Sequence, residues 1–248
     1  NRLGVKNEET LFLCFNEALR THLEENNPIK FVHFKTIYEL ADEFIKYEED
    51  VVLNDLTDTL AGNLFDNKKK WPYFNVIIDE AQDFNTFFIE ILKEITPGCF
   101  YAFYDKNQSI YQQEELVWAN NAECKLTLHT NCRNTKEIAR TSARNIGLDS
   151  KTFINSPVKG EQSFICEYKS GNEGFALVEK IVKHLLKEKN ANAEDIVILT
   201  MSDFEKSILK GKNRICNQSL SKFLKKGSIC FNTVDDFKGL EAGYLILV

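Results

Sequence analysis

The sequence predicts an α/β protein built on parallel sheets, and three observations carry that expectation. Strand-like and helix-like segments alternate along all 248 residues, as connections between parallel strands require. Several strand candidates are short continuous apolar runs, such as FNVII at 74–78 and YLILV at 244–248, which suit strands buried on both faces. The first of these runs ends directly in acids, and open parallel sheets place their chemistry at the C-terminal ends of the strands.

Taken in order, TLFLCF at 10–15 reads as a strand, and Asn16 as the cap of a helix running to about residue 25. IKFVHF at 29–34 alternates and reads as a second strand. Thr36 then caps an amphipathic helix over 37–47. A helix over 55–65 precedes the strand at 74–78, and a helix over 87–95 leads to a strand at 99–104. The junction between halves falls near 114–123, giving expected domains 1–120 and 121–248. In the second half, strands are expected at 125–129, 163–168, 195–200, 228–233 and 244–248. Helices are expected over 135–146 and 175–189, and the stretch from 198 to 228 reads as a short helix-and-loop connection.

Length allows one large domain or two compact ones of roughly 100–150 residues. The 43% hydrophobic content supports a real core, and 19 Phe and 8 Tyr against 4 Pro favour strand-rich packing over disorder. No run of 18 apolar residues exists and residues 1–9 are polar, so neither a membrane span nor a secretory signal is expected. Seven scattered cysteines without a C-x-x-C pair suit reduced thiols, so a cytoplasmic protein without structural zinc is expected. The chain opens on Asn1 without an initiator Met, which suggests a piece of a longer protein. The net charge of −6 opposes nucleic-acid binding by bulk charge. It leaves room for a narrow track of donors and aromatics along a single strand.

Acids follow many strands simply because loops are wet. Asp79-Glu80-Ala81-Gln82-Asp83 after an apolar strand is a more particular arrangement. Adjacent carboxylates there can divide the labour of phosphate hydrolysis, one binding Mg²⁺ and the other orienting and deprotonating water.

VIIDEAQDF resembles the Walker B box of UvrD/Rep-like superfamily 1 helicases. The resemblance implies Asp79 as the Mg²⁺ ligand, Glu80 as catalytic base, and Gln82 and Asp83 as couplers to the next motif. FYDKNQSIY at 103–111 resembles the family's third motif. Gln108 would sense the γ-phosphate, with an amide suited to reading donor and acceptor at once, and Tyr111 would contact nucleic acid. LTLHTNCRNTKEIA at 126–139 resembles motif IV, implying that Arg133 reaches the γ-phosphate. TVDDFKGLEAGYLILV at 233–248 resembles motif V. There Gly239 would approach phosphate, Glu241 the ribose, and Thr233 the nucleic-acid backbone. The implied fold is a pair of RecA-like (P-loop NTPase type) parallel-sheet halves, the first incomplete. The implied ligands are ATP and Mg²⁺, and the implied partner is single-stranded DNA or RNA.

No G-x-x-x-x-G-K-[ST] occurs, and the family's motif VI is absent too. Without the phosphate-cradling lysine and amides, the 248-residue chain is expected not to hydrolyse ATP by itself. Its partners would include the N- and C-terminal parts of a parent chain. Since the P-loop strand is central in the family, a depleted or gapped first sheet is expected. An alternative is a degenerate helicase-like binding module without turnover. It draws on Cys132 and Gln113 in place of stacking aromatics, and on Asp235 and Asp236 where acids oppose phosphate. A third reading, a Mg²⁺-dependent nuclease on Asp79, Glu80 and Asp83, predicts DNA cleavage without ATP.

Overall fold

The computed structural model describes residues 8–14, 16–48, 50–105, 116–128, 133–145, 147, 158–201 and 204–248. Its contacts divide the chain into two units: 1–122 with 234–240, and 123–233 with 241–248. The two units therefore interleave in sequence, residues 234–240 returning to the first between two stretches of the second.

In the first unit, β1 (Thr10–Cys14), β2 (Val32–Thr36), β3 (Asn75–Ile78) and β4 (Phe100–Ala102) form an all-parallel sheet in the order β2-β1-β3-β4. Leu11 faces Val76 and Leu13 faces Ile78 across β1 and β3, and all four are fully buried. Helices α1 (Glu17–Asn26), α2 (Ile37–Phe44), α3 (Leu53–Asp66) and α4 (Thr86–Ile95) carry the crossovers. Ile37 and Leu40 of α2, Leu56 and Leu60 of α3, and Phe88 and Leu92 of α4 share one core with the strands. The short α5 (Val117–Asn120) follows β4.

Polar side chains fix where these helices begin. Asn16 accepts from the Leu19 amide at 2.8 Å, Thr36 and Glu39 form a reciprocal capping box, and Asn85 accepts from the Phe88 amide. Each such cap stabilises its helix by about 1 kcal/mol. Asn85 also donates to Thr57 at 2.8 Å, which ties the start of α4 to α3. At the other end of the strands, buried Asn75 donates to Thr10 and accepts from the Cys99 amide, linking β1, β3 and the entrance to β4.

Two expectations need correcting. The second strand starts at Val32 rather than residue 29, because Phe31 takes a left-handed backbone (φ 70°) and delays the extended run. Of the depleted or gapped first sheet that is expected, the gap is not seen among the described residues. β3 is bonded to β1 on one side and β4 on the other, so the row is unbroken.

The second unit holds α6 (Lys136–Asn145), α7 (Gly171–Lys187), β5 (Ile196–Thr200), β6 (Arg214–Ile215), β7 (Gln218–Ser221), β8 (Ser228–Thr233) and β9 (Tyr244–Leu247). The sheet order is β6-β7-β8-β5-β9, parallel except for the β6–β7 pair. β5, IVILT, is buried along its whole length. Val178 and Val182 of α7 pack on Ile196 and Ile198 of β5 and Ile229 and Phe231 of β8.

Here the sequence misleads three times. Residues 124–128 and 158–168 are not strands. Leu126, Leu128, Phe164 and Ile165 are 90%, 92%, 73% and 93% exposed, so their apolar pattern has no neighbour to bury it. The 158–168 segment nevertheless has contacts on α7 and just beyond its end. Glu161 pairs with Lys189, and the Tyr168 ring lies 3.0 Å from where a Cβ on Gly174 would stand. Third, the stretch between β5 and β8 is more than a loop, because it contains the β6–β7 hairpin. Among the described residues no helix is long and apolar enough to cross a membrane.

Candidate active site

β3 delivers its acids as the apolar run suggests. The Asp79 amide donates to Leu13 O at 3.0 Å and the Phe103 amide to Ile78 O at 2.8 Å, so the strand edge is fixed on both sides up to the first carboxylate. The Ala81 amide then donates to Phe103 O at 2.9 Å, tethering the turn to the residue after β4. Between these anchors Glu80 adopts φ 53°, ψ 41°. A left-handed backbone costs a residue with a Cβ about 1–3 kcal/mol and persists where the surroundings impose it. Asp79 Oδ1 accepts from the Glu80 amide at 3.0 Å, which holds the first carboxylate against the turn.

A short 3₁₀ turn, Ala81–Asp83, follows and turns Gln82 and Asp83 inward, both fully buried. Gln82 bridges. Its amide nitrogen donates to Glu80 Oε2 and its carbonyl accepts from the Asp105 amide at 3.0 Å. Gln82 thus links Glu80 to the loop after β4. Asp83 receives a hydrogen bond from the Lys238 ammonium, which also lies 3.5 Å from Glu80 Oε2. The Lys238 side chain is only 7% exposed and Glu80 14%. A fully buried carboxylate such as Asp83 is costly without compensation, and Lys238 supplies it.

Lys238 is held in turn from the first helix. Asn16 Nδ2 donates to Lys238 O at 3.1 Å and to Asp235 O at 3.3 Å, while its Oδ1 caps α1. Gly239 is needed on two counts: its φ is +87°, and a Cβ there would approach Leu19 to 2.8 Å. Cys14, at the end of β1, is buried and its thiol is pushed up to about 12, by burial first and then by the Asp79 charge. It stays a neutral neighbour to the acids.

The expected site residues fall into separate groups. Asp79, Glu80 and Gly239 belong to the first unit. Thr233 ends β8 in the second unit, its amide donating to Asn232 Oδ1 at 2.9 Å. Arg133 and Glu241, expected at the γ-phosphate and the ribose, form an ion pair with each other at 2.5 Å. Their side chains are 67% and 61% exposed, so this pair contributes little to stability. Gln108 and Tyr111 lie outside the described residues, as do Gln113 and Cys132. Asn16 reads in the sequence only as a helix cap. Nothing there signals that its second hydrogen-bonding end anchors residues 235 and 238.

Among the described residues no group of three or more His, Cys, Asp and Glu is arranged to hold a metal. Neither the known protein families nor the curated proteins contain a match to this chain.

Proposed function

We propose that the chain is the central part of an ATP-driven translocase on single-stranded nucleic acid, of the UvrD/Rep-like superfamily 1 kind, acting in the cytoplasm. Asp79 and Glu80 at the C-terminal edge of a parallel strand carry the reading, with Glu80 held in a left-handed backbone between two fixed anchors. In this reading the two units are RecA-like halves. Asp79 would hold Mg²⁺ with the phosphates, which supplies charge neutralisation on the transferring group. Glu80 would accept the proton of the attacking water, and Gln82 would report the state of Glu80 to the loop that leads toward Gln108. Arg133, Gly239 and Glu241 would complete the nucleotide contacts, and Thr233 and Tyr111 would contact nucleic acid.

A second reading, the helicase-like binding module without turnover, is favoured by one observation. Glu80 already accepts from Gln82 and faces Lys238, so its carboxylate is occupied as it stands.

The experiment is ATPase activity of the parent protein, with and without single-stranded DNA, beside a Glu80→Gln variant. The motor reading expects stimulated turnover and a loss of a hundredfold or more in Glu80→Gln, in line with removal of a general base. Absence of turnover in folded parent protein would give the case to the binding module.

A further inference from the structure

The chain carries −6 overall, yet residues 204–226 hold seven Lys and Arg against one Glu. That stretch is +6, and the rest of the molecule is −12. The basic residues lie on and around the β6–β7 hairpin, at one edge of the second unit's sheet.

Their arrangement is more than scattered charge. A cavity of about 250 Å³ opens there, with Phe204, Leu220 and Phe231 among its lining and Lys210, Lys212 and Lys222 beside them. Phe204 and Phe231 meet edge to face at 5.0 Å. The Lys222 ammonium sits 5.0 Å from the Phe204 ring and that of Lys212 4.7 Å from the Phe175 ring, so aromatic faces position both cations. Neither ammonium is in an ion pair among the described residues, whereas Lys210 meets Glu205 at 3.1 Å. Phe223 is exposed on the same stretch.

Lysines on an edge strand also serve to discourage edge-to-edge pairing. Arg214 on β6 fulfils that task alone, since β6 is only two residues long. The cavity lysines come instead from the segments flanking the hairpin.

We propose that this basic lobe is a contact surface for the phosphate backbone of a single-stranded nucleic acid, with the cavity receiving one base. The identity of the polyanion rests on the motor reading above. Three features point to a nucleic acid rather than an acidic peptide. Lysine point charges beside aromatic rings suit a strand that alternates phosphates and π-faces. The cavity lies below the roughly 300–1,000 Å³ of whole-ligand sites, so it suits one ring system and not a complete nucleotide cofactor. The two-residue β6 is too short to template an added peptide strand.

The test uses the 248-residue chain and a fluorescently labelled oligo-dT, with anisotropy titrations at several salt concentrations and no ATP. The combined variant Lys210→Ala, Lys212→Ala, Lys222→Ala is compared with Lys68→Ala, Lys69→Ala, Lys70→Ala, which removes the same charge from the first unit. The cavity variant is expected to bind at least tenfold more weakly. Its slope of log K against log salt should be shallower by about 2, three single-strand phosphate contacts at roughly 0.7 each. The control variant is expected to bind like the parent sequence. Equal losses in the two variants, an unchanged cavity variant, or no binding by the unaltered chain at low salt would each overturn the proposal. So would competition by poly-glutamate that exceeds competition by unlabelled oligo-dT at equal charge. ATPase stimulation in the parent protein is read separately. Stimulation with an unchanged cavity variant refutes the lobe alone, and lobe-dependent binding without ATPase refutes the motor alone.

Discussion

The first unit has an all-parallel sheet whose central strands share one core with helices α2, α3 and α4. The second has a mixed sheet flanked by apolar segments that reach no strand partner. Both grow from the same alternation of strand and helix. They differ in whether each apolar run finds a neighbour, which lies in the pairing and not in the run itself. Charge divides along the same line, with a buried acidic cluster in the first unit and a basic hairpin in the second.

The largest expected effect sets the two units against each other. Phe88 is fully buried on α4 beside Phe84, so Phe88→Ala should cost about 3–5 kcal/mol in denaturant unfolding. Ile165 is 93% exposed, so Ile165→Ala should change stability by no more than about 0.5 kcal/mol. A loss above about 2 kcal/mol for Ile165→Ala would break the contrast, because it would mean that residues 163–168 are packed as a strand after all.

The next effect concerns the acidic cluster. Lys238→Met leaves Asp83 buried without its cation and should destabilise by about 3 kcal/mol. Adding Asp83→Leu should recover most of that loss. If the double variant is no better than the single one, the pair is not what balances the buried carboxylate. The smallest effect reads the backbone of the candidate base. Glu80→Ala and Glu80→Gly both lose the contacts of Glu80 with Gln82 and Lys238, but only Ala keeps a Cβ at positive φ. Glu80→Gly should therefore be the more stable of the two by about 1 kcal/mol in thermal or chemical unfolding. Equal stabilities would show that the left-handed turn is not imposed on the side chain.

The sequence made most of the first unit's sheet legible because β1 and β3 are continuous apolar runs, and β1, β2 and β3 are each followed by a helix with a capping side chain at Asn16, Thr36 or Asn85. Asp79 and Glu80 were legible for the same reason, since they follow β3 without an intervening residue. The β6–β7 hairpin was not. RI and QSLS show no apolar alternation, and the turn between them places Cys216 and Asn217 at positive φ without a glycine to mark it. The segments at 125–129 and 163–168 failed in the opposite direction, because strand-like composition reports apolarity and says nothing of a partner. Lys238 beside Asp83 was beyond reach, since no local pattern encodes a contact across 155 residues.

That separation also sets an order of events while the chain is being made. Asp83 leaves the ribosome long before Lys238 exists. At roughly 5–20 residues per second, the wait is on the order of 10–30 s. Throughout it the nascent first unit must keep the carboxylate solvated or protonated, and the Asn16 clasp has nothing to hold. The acidic pocket therefore cannot be completed until residue 238 has been made, although the β-strand that precedes it is synthesised early.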